Sequence, residues 1–398
     1  MKFFHTADWH LGKLVQGVYM TEDQSYVLEE FVKAVEEEKP DAVIIAGDLY
    51  DRGVPPTEAV NLLDDVLEKI VLKLNTPLIA VAGNHDSPSR LHFASKIMKS
   101  KGYHVVGQMS SRLDPVVLKD EHGEVHFHLV PYADPSMVRH AFGDEEIRSH
   151  NDAMKKITDE LKNKMDPNVR HVFVGHAFVT PHGEEKDNTS DSERLLAIGG
   201  AEHVDAKLFT AFHYTALGHL HQAHHVLNET IQYAGSPLKY SISEEHHKKG
   251  FYIVELDGSG KVELEKRLLT PRRDLRTVEA TMEEILKHPK NDDYVFVRLL
   301  DDTPVLSPME KVRSVYPNAM HVERKIQIHS IDGDVTSERM ERNKMDELSL
   351  FKAFYQEVKG TAVSEETETI FKEILQEFLS HESEQPQELG KEKATVKN

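Results

Sequence analysis

The chain contains no cysteine. Disulfides and thiolate-bound metals are therefore excluded, and any metal site must be built from His, Asp and Asn. Hard or borderline ions such as manganese or magnesium are favoured over structural zinc. Positive charge is also scarce: 48 Lys and Arg stand against 68 Asp and Glu, a formal net charge of -20. A nucleic-acid footprint on such a chain has to be local. No apolar run approaches the roughly 18 residues of a membrane span, and the opening MKFFHTADWHLG lacks the apolar core and cleavage site of a signal peptide. The expectation is a protein of the cytoplasm with no membrane partner. No GxxxxGK[ST] phosphate loop occurs, so if ATP controls the reaction another subunit must bind it.

What the chain does have is a repeated arrangement of residues. Four apolar runs end in Gly followed at once by a residue that binds divalent metals: AVIIAGD with Asp48, LIAVAGNHD with Asn84 and His85, HVFVGH with His176, and TALGHLH with His219 and His221. A fifth element, FFHTADWH, sets Asp8 and His10 just past the first apolar stretch. Residues beyond the carboxyl ends of strands in an open α/β sheet share one crevice, so ligands far apart in sequence can converge there. Asp8 and His10, two apart, point to one side of an extended segment, and His219 and His221 repeat the device.

A carboxylate has two oxygens, which makes Asp48 the natural bridge between two ions. The expected partition is Asp8, His10, Asp48 and His221 around one ion, with Asp48, Asn84, His176 and His219 around the other. Two ions about 3.5 to 4 Å apart clamp a phosphate and activate a water between them. His85 is left over beside a ligand, as a general acid for the departing oxygen, with Asp86 or Asp51 to orient its ring. Trp9, the only tryptophan, is expected to pack beneath the site, and His224, His225, His246 and His247 to lie at the surface.

The first hundred residues alternate strand and helix signals. Thr21 and Gln24 form a capping-box pattern ahead of a helix carrying Val27, Leu28, Phe31 and Val35. Pro55 and Pro56 open a second helix with a stripe of Val60, Leu63, Leu67, Ile70 and Leu74. This βαβαβ order predicts a parallel sheet. Val125, Phe127 and Leu129 alternate with His126 and His128, which predicts a half-buried strand with its histidines in solvent. A polar helix follows from about Glu145 to Met165. HGEEKDNTSDSE, between Pro181 and Arg194, reads as a loop beside the site. The short strands after His221 (AHHVL, IQYAG, GFYIVEL, VELEKRLL) suggest a second sheet packed on the first, an α/β fold of four layers, α/β/β/α. The boundaries are 1–270 for this domain, 271–331 for a small α/β capping domain, 332–380 for a helical region and 381–398 for a disordered tail.

Two stretches concentrate positive charge: Arg90, Lys96, Lys99 and Lys101 behind GNHD, and Lys266, Arg267, Arg272, Arg273 and Arg276. Of these, Arg90, Lys96, Lys99, Lys101, Arg272 and Arg273 are the candidate DNA contacts, although either stretch also reads as a solvated face. Near the end of the chain, Leu348, Phe351, Phe354, Tyr355 and Val358, then Ile370, Phe371, Ile374, Leu375 and Phe378, mark two amphipathic helices whose apolar surface suits docking to another chain.

HTADWHLG, GDLYDRG, AGNHDSPSR, GHLH and the later GSPLKYSISE resemble the calcineurin-like metallophosphoesterase family, and the similarity runs over the whole chain. It implies a four-layer sandwich with a small capping domain and C-terminal helices, and a two-ion centre loaded with Mn²⁺. In activity it implies a manganese-dependent nuclease, with single-strand endonuclease and double-strand 3′ to 5′ exonuclease activity on DNA ends, hairpins and palindromes. The implied partner is the ATPase SbcC, with a homodimer of the nuclease inside a heterotetramer at the nucleoid. Archaeal and eukaryotic relatives carry a second His three residues after the bridging Asp, where this chain has Asp51. A phosphatase or cyclic-nucleotide phosphodiesterase, and an inactive scaffold, are the rival readings.

Overall fold

Every side chain of the strands Ala42–Ile45 (AVII) and Leu78–Val81 (LIAV) is buried, as expected of strands covered on both faces. In a computed structural model that describes residues 1–182, 191, 193, 203–325, 347–364, 366–372 and 374, these strands lie inside a six-stranded sheet. Lys2–Thr6, Ala42–Ile45, Leu78–Val81 and Tyr103–Val106 run parallel and in that order. Gly250–Leu256 and Val262–Leu268 extend the sheet antiparallel beyond Lys2–Thr6. These last two strands therefore complete the first sheet and not the second, which corrects the sequence expectation. Gly250–Leu256 pairs with the first strand, more than two hundred residues away, and Val262–Leu268 follows it as a hairpin partner; local pattern carries no information on the long-range pairing.

The second six-stranded sheet has Gly123–Val130, Arg170–His176, Tyr214–Gly218 and Asn228–Tyr233 in parallel, with antiparallel edges Val116–Asp120 and His224–Val226. Alternation decides what each face meets. Phe3, Ile44 and Ile79 of the first sheet pack between the sheets against Phe127, Val172, Val174 and Tyr214 of the second. Phe4, Val43 and Ile45 point outward to Leu28, Phe31 and Leu63 on the helices Thr21–Glu38 and Thr57–Leu67. Phe173 and Leu217 meet Met154, Ile157 and Leu161 of the helix His150–Lys162 in the same way. The result is the four-layer α/β/β/α sandwich. Burying a Phe or Leu contributes roughly 1.5–3 kcal/mol, so these three contiguous cores hold the strand ends firmly in register.

Three local expectations change, and a fourth falls largely outside the described residues. Gln24 makes no cap, since helix Thr21–Glu38 starts after Met20 without a side-chain cap bond. Val60 is exposed and the buried stripe runs through Ala59, Leu62, Leu63 and Val66. His128 is buried, because the face of its strand turned away from the other sheet is covered. The loop expected between Pro181 and Arg194 lies outside the described residues except for His182, Asp191 and Glu193.

A smaller parallel sheet of Leu275–Ala280, Tyr294–Leu299 and His321–Arg324 follows. It carries the helices Met282–Ile285 and Pro308–Arg313 over its own core of Ile285, Val295, Val297 and Val312. This lobe is tied to the sandwich by Asp23, which is buried and accepts from Arg273 (2.9 Å) and the Tyr294 hydroxyl (2.7 Å), and by a Lys239–Asp274 pair at 2.7 Å. All of this forms one unit, Met1–Arg324, and Lys325–Asn398 forms a second. In the second unit the helix Glu347–Lys359 stacks Phe351 on Phe371 with ring centroids 3.9 Å apart, while Phe354, Val358, Ile370 and Ile374 are exposed. The expected tail at 381–398 lies outside the described residues. Among the described residues no helix is long and apolar enough to cross a membrane.

Candidate metal centre

All the candidate ligands stand at the carboxyl ends of strands from both sheets, and the glycines of the sequence pattern explain how they come so close. A Cβ on Gly47 would lie 2.3 Å from His176 Nδ1, and one on Gly83 would lie 2.1 Å from Asp48 Oδ1. Any larger residue would push the strand ends apart. Asp8, His10, Asp48 and His219 themselves have positive φ (53°, 45°, 50° and 114°). Non-glycine residues adopt that region at a cost of order 1–3 kcal/mol each and tend to do so at functional sites.

Asp8, His10 and His221 offer ligand atoms within 4.8 Å of one another, as do Asp8, Asp48 and His176. Asp48 Oδ2 lies between the two halves, 3.6 Å from His10 Nε2 and 3.4 Å from His176 Nε2. Asn84 Oδ1 is 2.9 Å from His176 Nε2. His219 enters neither tight group: its backbone N–H donates to Asp8 (3.0 Å), and its ring stands 5.4 Å from that of His176.

The hydrogen bonds fix which nitrogens face the crevice. His176 Nδ1–H donates to Ala46 O at 2.9 Å, so its Nε2 faces Asn84 and Asp48. His221 Nδ1–H donates to Glu244 Oε1 at 3.1 Å, so its Nε2 faces His10 Nε2, only 3.0 Å away. Imidazole Nε2 atoms aimed at one another and at carboxylates, in a site where Asp8, His10, Asp48 and His176 are at most 2% exposed, fit a divalent cation that would displace their protons. The charges agree. Burial raises the Asp8 carboxyl to about 7. Burial also opposes ionisation of Asp48, but His176 outweighs it and holds Asp48 well below the ordinary range. In return His176 is lifted to about 9 against its own burial, chiefly by Asp48. The pocket draws positive charge to itself.

His85 is partly exposed at the mouth, with its backbone N–H on Asp48 Oδ1 at 2.9 Å. Its ring is oriented by the main chain: Nδ1–H donates to the Asp51 carbonyl at 2.8 Å. Asp86 is engaged elsewhere, accepting from the backbone N–H groups of Leu49, Tyr50 and Gly83 and so tying two strand-end loops together.

Four supporting residues were not legible in the sequence. Glu244 accepts from His221 and is held by the buried Lys249, whose ammonium also donates to His221 O (2.9 Å) and Ser236 Oγ (2.8 Å). Gln24 donates to Trp9 O (3.0 Å) and His10 O (2.8 Å), and Tyr240 donates to Trp9 O, bracing the loop that presents Asp8 and His10. The one available signal was the motif GSPLKYSISE, which contains both Tyr240 and Glu244. Trp9 is fully buried, with its indole N–H on Thr6 Oγ1. Of the basic candidates, Arg90, Lys96, Lys99 and Lys101 are exposed. Arg272 is exposed near Glu22 (3.8 Å), whereas Arg273 is committed to the buried Asp23.

A sequence profile for calcineurin-like phosphoesterases matches residues 1–223, and one described as a Type 5 capsule protein repressor C-terminal domain matches residues 271–359. The chain is 32% identical over 386 residues to the SbcD component of the nuclease SbcCD from Staphylococcus epidermidis, covering 96% of this chain and 100% of that one. It is 33% identical over 387 residues to the protein of the same name in Staphylococcus saprophyticus, covering 95% and 99%. Among solved structures, a dimetal phosphatase from Danio rerio is similar at a TM-score of 0.40 and 11% identity over 68% of this chain and 97% of that one, too loose a likeness to bear on the site.

Proposed function

The chain belongs to the calcineurin-like phosphoesterase family, and from that premise we propose that it is a metal-dependent DNA nuclease acting as the nuclease subunit beside an SbcC-type ATPase. One observation carries the reading: the imidazole Nε2 atoms of His10, His176 and His221 converge on the buried carboxylates of Asp8 and Asp48. Asp8, His10, Asp48 and His221 would hold one ion, and Asp48, Asn84 and His176 the other, with His219 beside it. When bound, two Mn²⁺ ions supply charge neutralisation for a phosphodiester and an activated water. His85, held by its Nδ1–H, presents Nε2 to the mouth, where an imidazolium protonates the leaving alkoxide. Asp8 and Asp48 orient the backbone of the second-sheet and GNHD loops through the N–H groups of His219 and His85.

The DNA substrate rests on the names of the relatives, on the exposed Arg90, Lys96, Lys99 and Lys101 behind the site, and on a second lobe too large to be needed for a small ester. Exonuclease action on duplex 3′ ends and endonuclease action on hairpins are the activities this reading carries. Exposed Phe354, Val358, Ile370 and Ile374 support attachment of the ATPase to the C-terminal helices. Two copies of this chain, each with an ATPase, make the assembly. Digestion of an end-labelled DNA hairpin with Mn²⁺, repeated with EDTA, tests the activity. Cleavage only with metal supports it, while hydrolysis of small phosphodiesters without DNA cleavage would favour a small-substrate enzyme. Deletion from Met345 onward is expected to leave cleavage intact and abolish co-purification with the ATPase.

A further inference from the structure

Beside the two groups already assigned, His10, Asp51 and His85 form a third in which one ligand atom from each lies within 4.8 Å of the others. It has the composition of another metal site, yet its carboxylate already faces a cation. Lys13 Nζ is 2.8 Å from Asp51 Oδ1, with the lysine side chain only 13% exposed. Asp51 is also fixed by its main chain on both sides. Its N–H donates to Leu11 O (3.2 Å) within a bridge between Leu11 and Tyr50, and its carbonyl accepts from His85 Nδ1–H (2.8 Å). The carboxylate is thereby set beside His10. There two buried polar atoms, His10 Nδ1 and Asp51 Oδ1, stand 3.6 Å apart without hydrogen-bond partners, the Lys13 contact being an ion pair without hydrogen-bond geometry. That gap is too long for a hydrogen bond, and closing it satisfies both atoms at once.

We propose that Asp51 is a positioning residue for the centre and not a ligand. Its carboxylate accepts a hydrogen bond from His10 Nδ1–H, which leaves His10 Nε2 for a cation, while its carbonyl accepts from His85 Nδ1–H and leaves His85 Nε2 for the acid role. One residue thus sets the tautomer of a metal ligand and of the general acid together. Lys13 is the internal counter-ion that occupies the cation position of this third group, so that two divalent ions bind and not three. This inference rests on the metal-centre reading above.

The test is calorimetric titration of the full-length protein, stripped of metal, with MnCl₂. It is run on wild type, Asp51→Asn, Asp51→Ala and Lys13→Met, with a melting curve as the control for folding. Wild type is expected to take up two ions. Asp51→Ala should melt as wild type does and bind one of the two ions about ten- to a hundredfold more weakly, the range for losing a ligand's hydrogen-bond partner. Asp51→Asn, which keeps an acceptor oxygen, should fall between the two, and that graded rescue is what a mere packing role would not produce. Lys13→Met, which vacates the cation position beside Asp51, should add a third and weaker ion to the titration and leave the first two in place. In cleavage assays the loss should appear in kcat with KM for DNA unchanged. Unchanged Mn²⁺ affinity in Asp51→Ala, beside two ions in wild type, overturns the inference and leaves the function standing. A third ion in wild type that vanishes in Asp51→Ala also overturns it, making Asp51 a ligand. No ion in wild type overturns the proposed function itself.

Discussion

At the strand ends His10, His176 and His221 turn Nε2 towards Asp8 and Asp48, whereas on the outer face of the second sheet His128, His171 and His213 are linked to one another and His126 lies beside them on Glu124. His128 Nε2 lies 3.0 Å from His171 Nδ1, His171 Nε2–H donates to Asp166 O at 2.9 Å, and the His171 backbone N–H donates to His213 Nδ1 at 3.0 Å. The carboxylate at this second cluster, Glu124, sits at its edge and is shared by His126 and Lys119. Burial acts alike in both places, but its outcome differs: it lowers His128 to about 3, while His176 is held at about 9 by Asp48 despite it. Clustered, buried histidines therefore do not make a metal centre. Converging carboxylates are what sets the centre apart, together with the hydrogen bonds that tie up Nδ1 of His176 and His221.

The largest effect should separate the clusters outright. Asp48→Ala is expected to lower Mn²⁺-dependent cleavage by about a thousandfold or more, since several kcal/mol of transition-state charge stabilisation depend on the ions it helps to hold. His171→Ala should change the rate by less than about twofold, yet lower stability by about 2 kcal/mol, because His128 Nε2–H loses its buried acceptor. Paired kinetics and urea denaturation measure both. A rate loss in His171→Ala comparable to that in Asp48→Ala would erase the distinction. Next in size is His85→Ala, expected to retain both ions and lose about a hundredfold in turnover. Loss of metal along with rate would remove its role as an acid.

The same contrast shows what the sequence could and could not reveal. Gly-Asp, Gly-Asn-His and Gly-His at the ends of apolar runs were readable because strand ends of α/β sheets meet in one place, and the glycines record how closely they meet. Glu244, Lys249, Gln24 and Tyr240 were not readable, since a supporting residue needs only to reach a ligand and obeys no spacing. His126 and His128 misled for a related reason. Alternation in a strand tells the two faces apart but does not say which is covered, and here the histidine face lies under Phe212, with ring centroids 5.6 Å from His128. The antiparallel strands Gly250–Leu256 and Val262–Leu268 are legible as strands but not as members of the first sheet, because pairing across the whole chain leaves no local trace.

A smaller effect sharpens the comparison within the centre. Glu244→Gln should weaken Mn²⁺ binding by about tenfold, as His221 loses a charged acceptor for Nδ1–H. It should also lower the melting temperature, because Lys249 keeps only neutral partners for a buried ammonium. Unchanged affinity in a folded variant would mean that His221 is oriented without Glu244.

The smallest effect is a slope in pH. His5 and His128 are both lowered to about 3 by burial, against an ordinary value of 6.5. The unfolded chain takes up protons on these residues below about pH 6.5, and the folded chain refuses them until about pH 3. Unfolding is thus favoured by acid: their contribution is complete above pH 6.5 and is lost as pH falls through that window, by up to about 1.4 kcal/mol per pH unit for each. In the metal-free protein His176 works in the opposite sense, contributing fully below pH 6.5 and less as pH rises towards 9. His128→Gln isolates the back cluster, because the amide can still donate to His171 Nδ1 but cannot titrate. Urea midpoints between pH 6 and pH 4 should then fall less steeply than in wild type, by about one proton's worth. An unaltered slope would mean that His128 is protonated in the folded protein, and that its cluster attracts charge as the centre does.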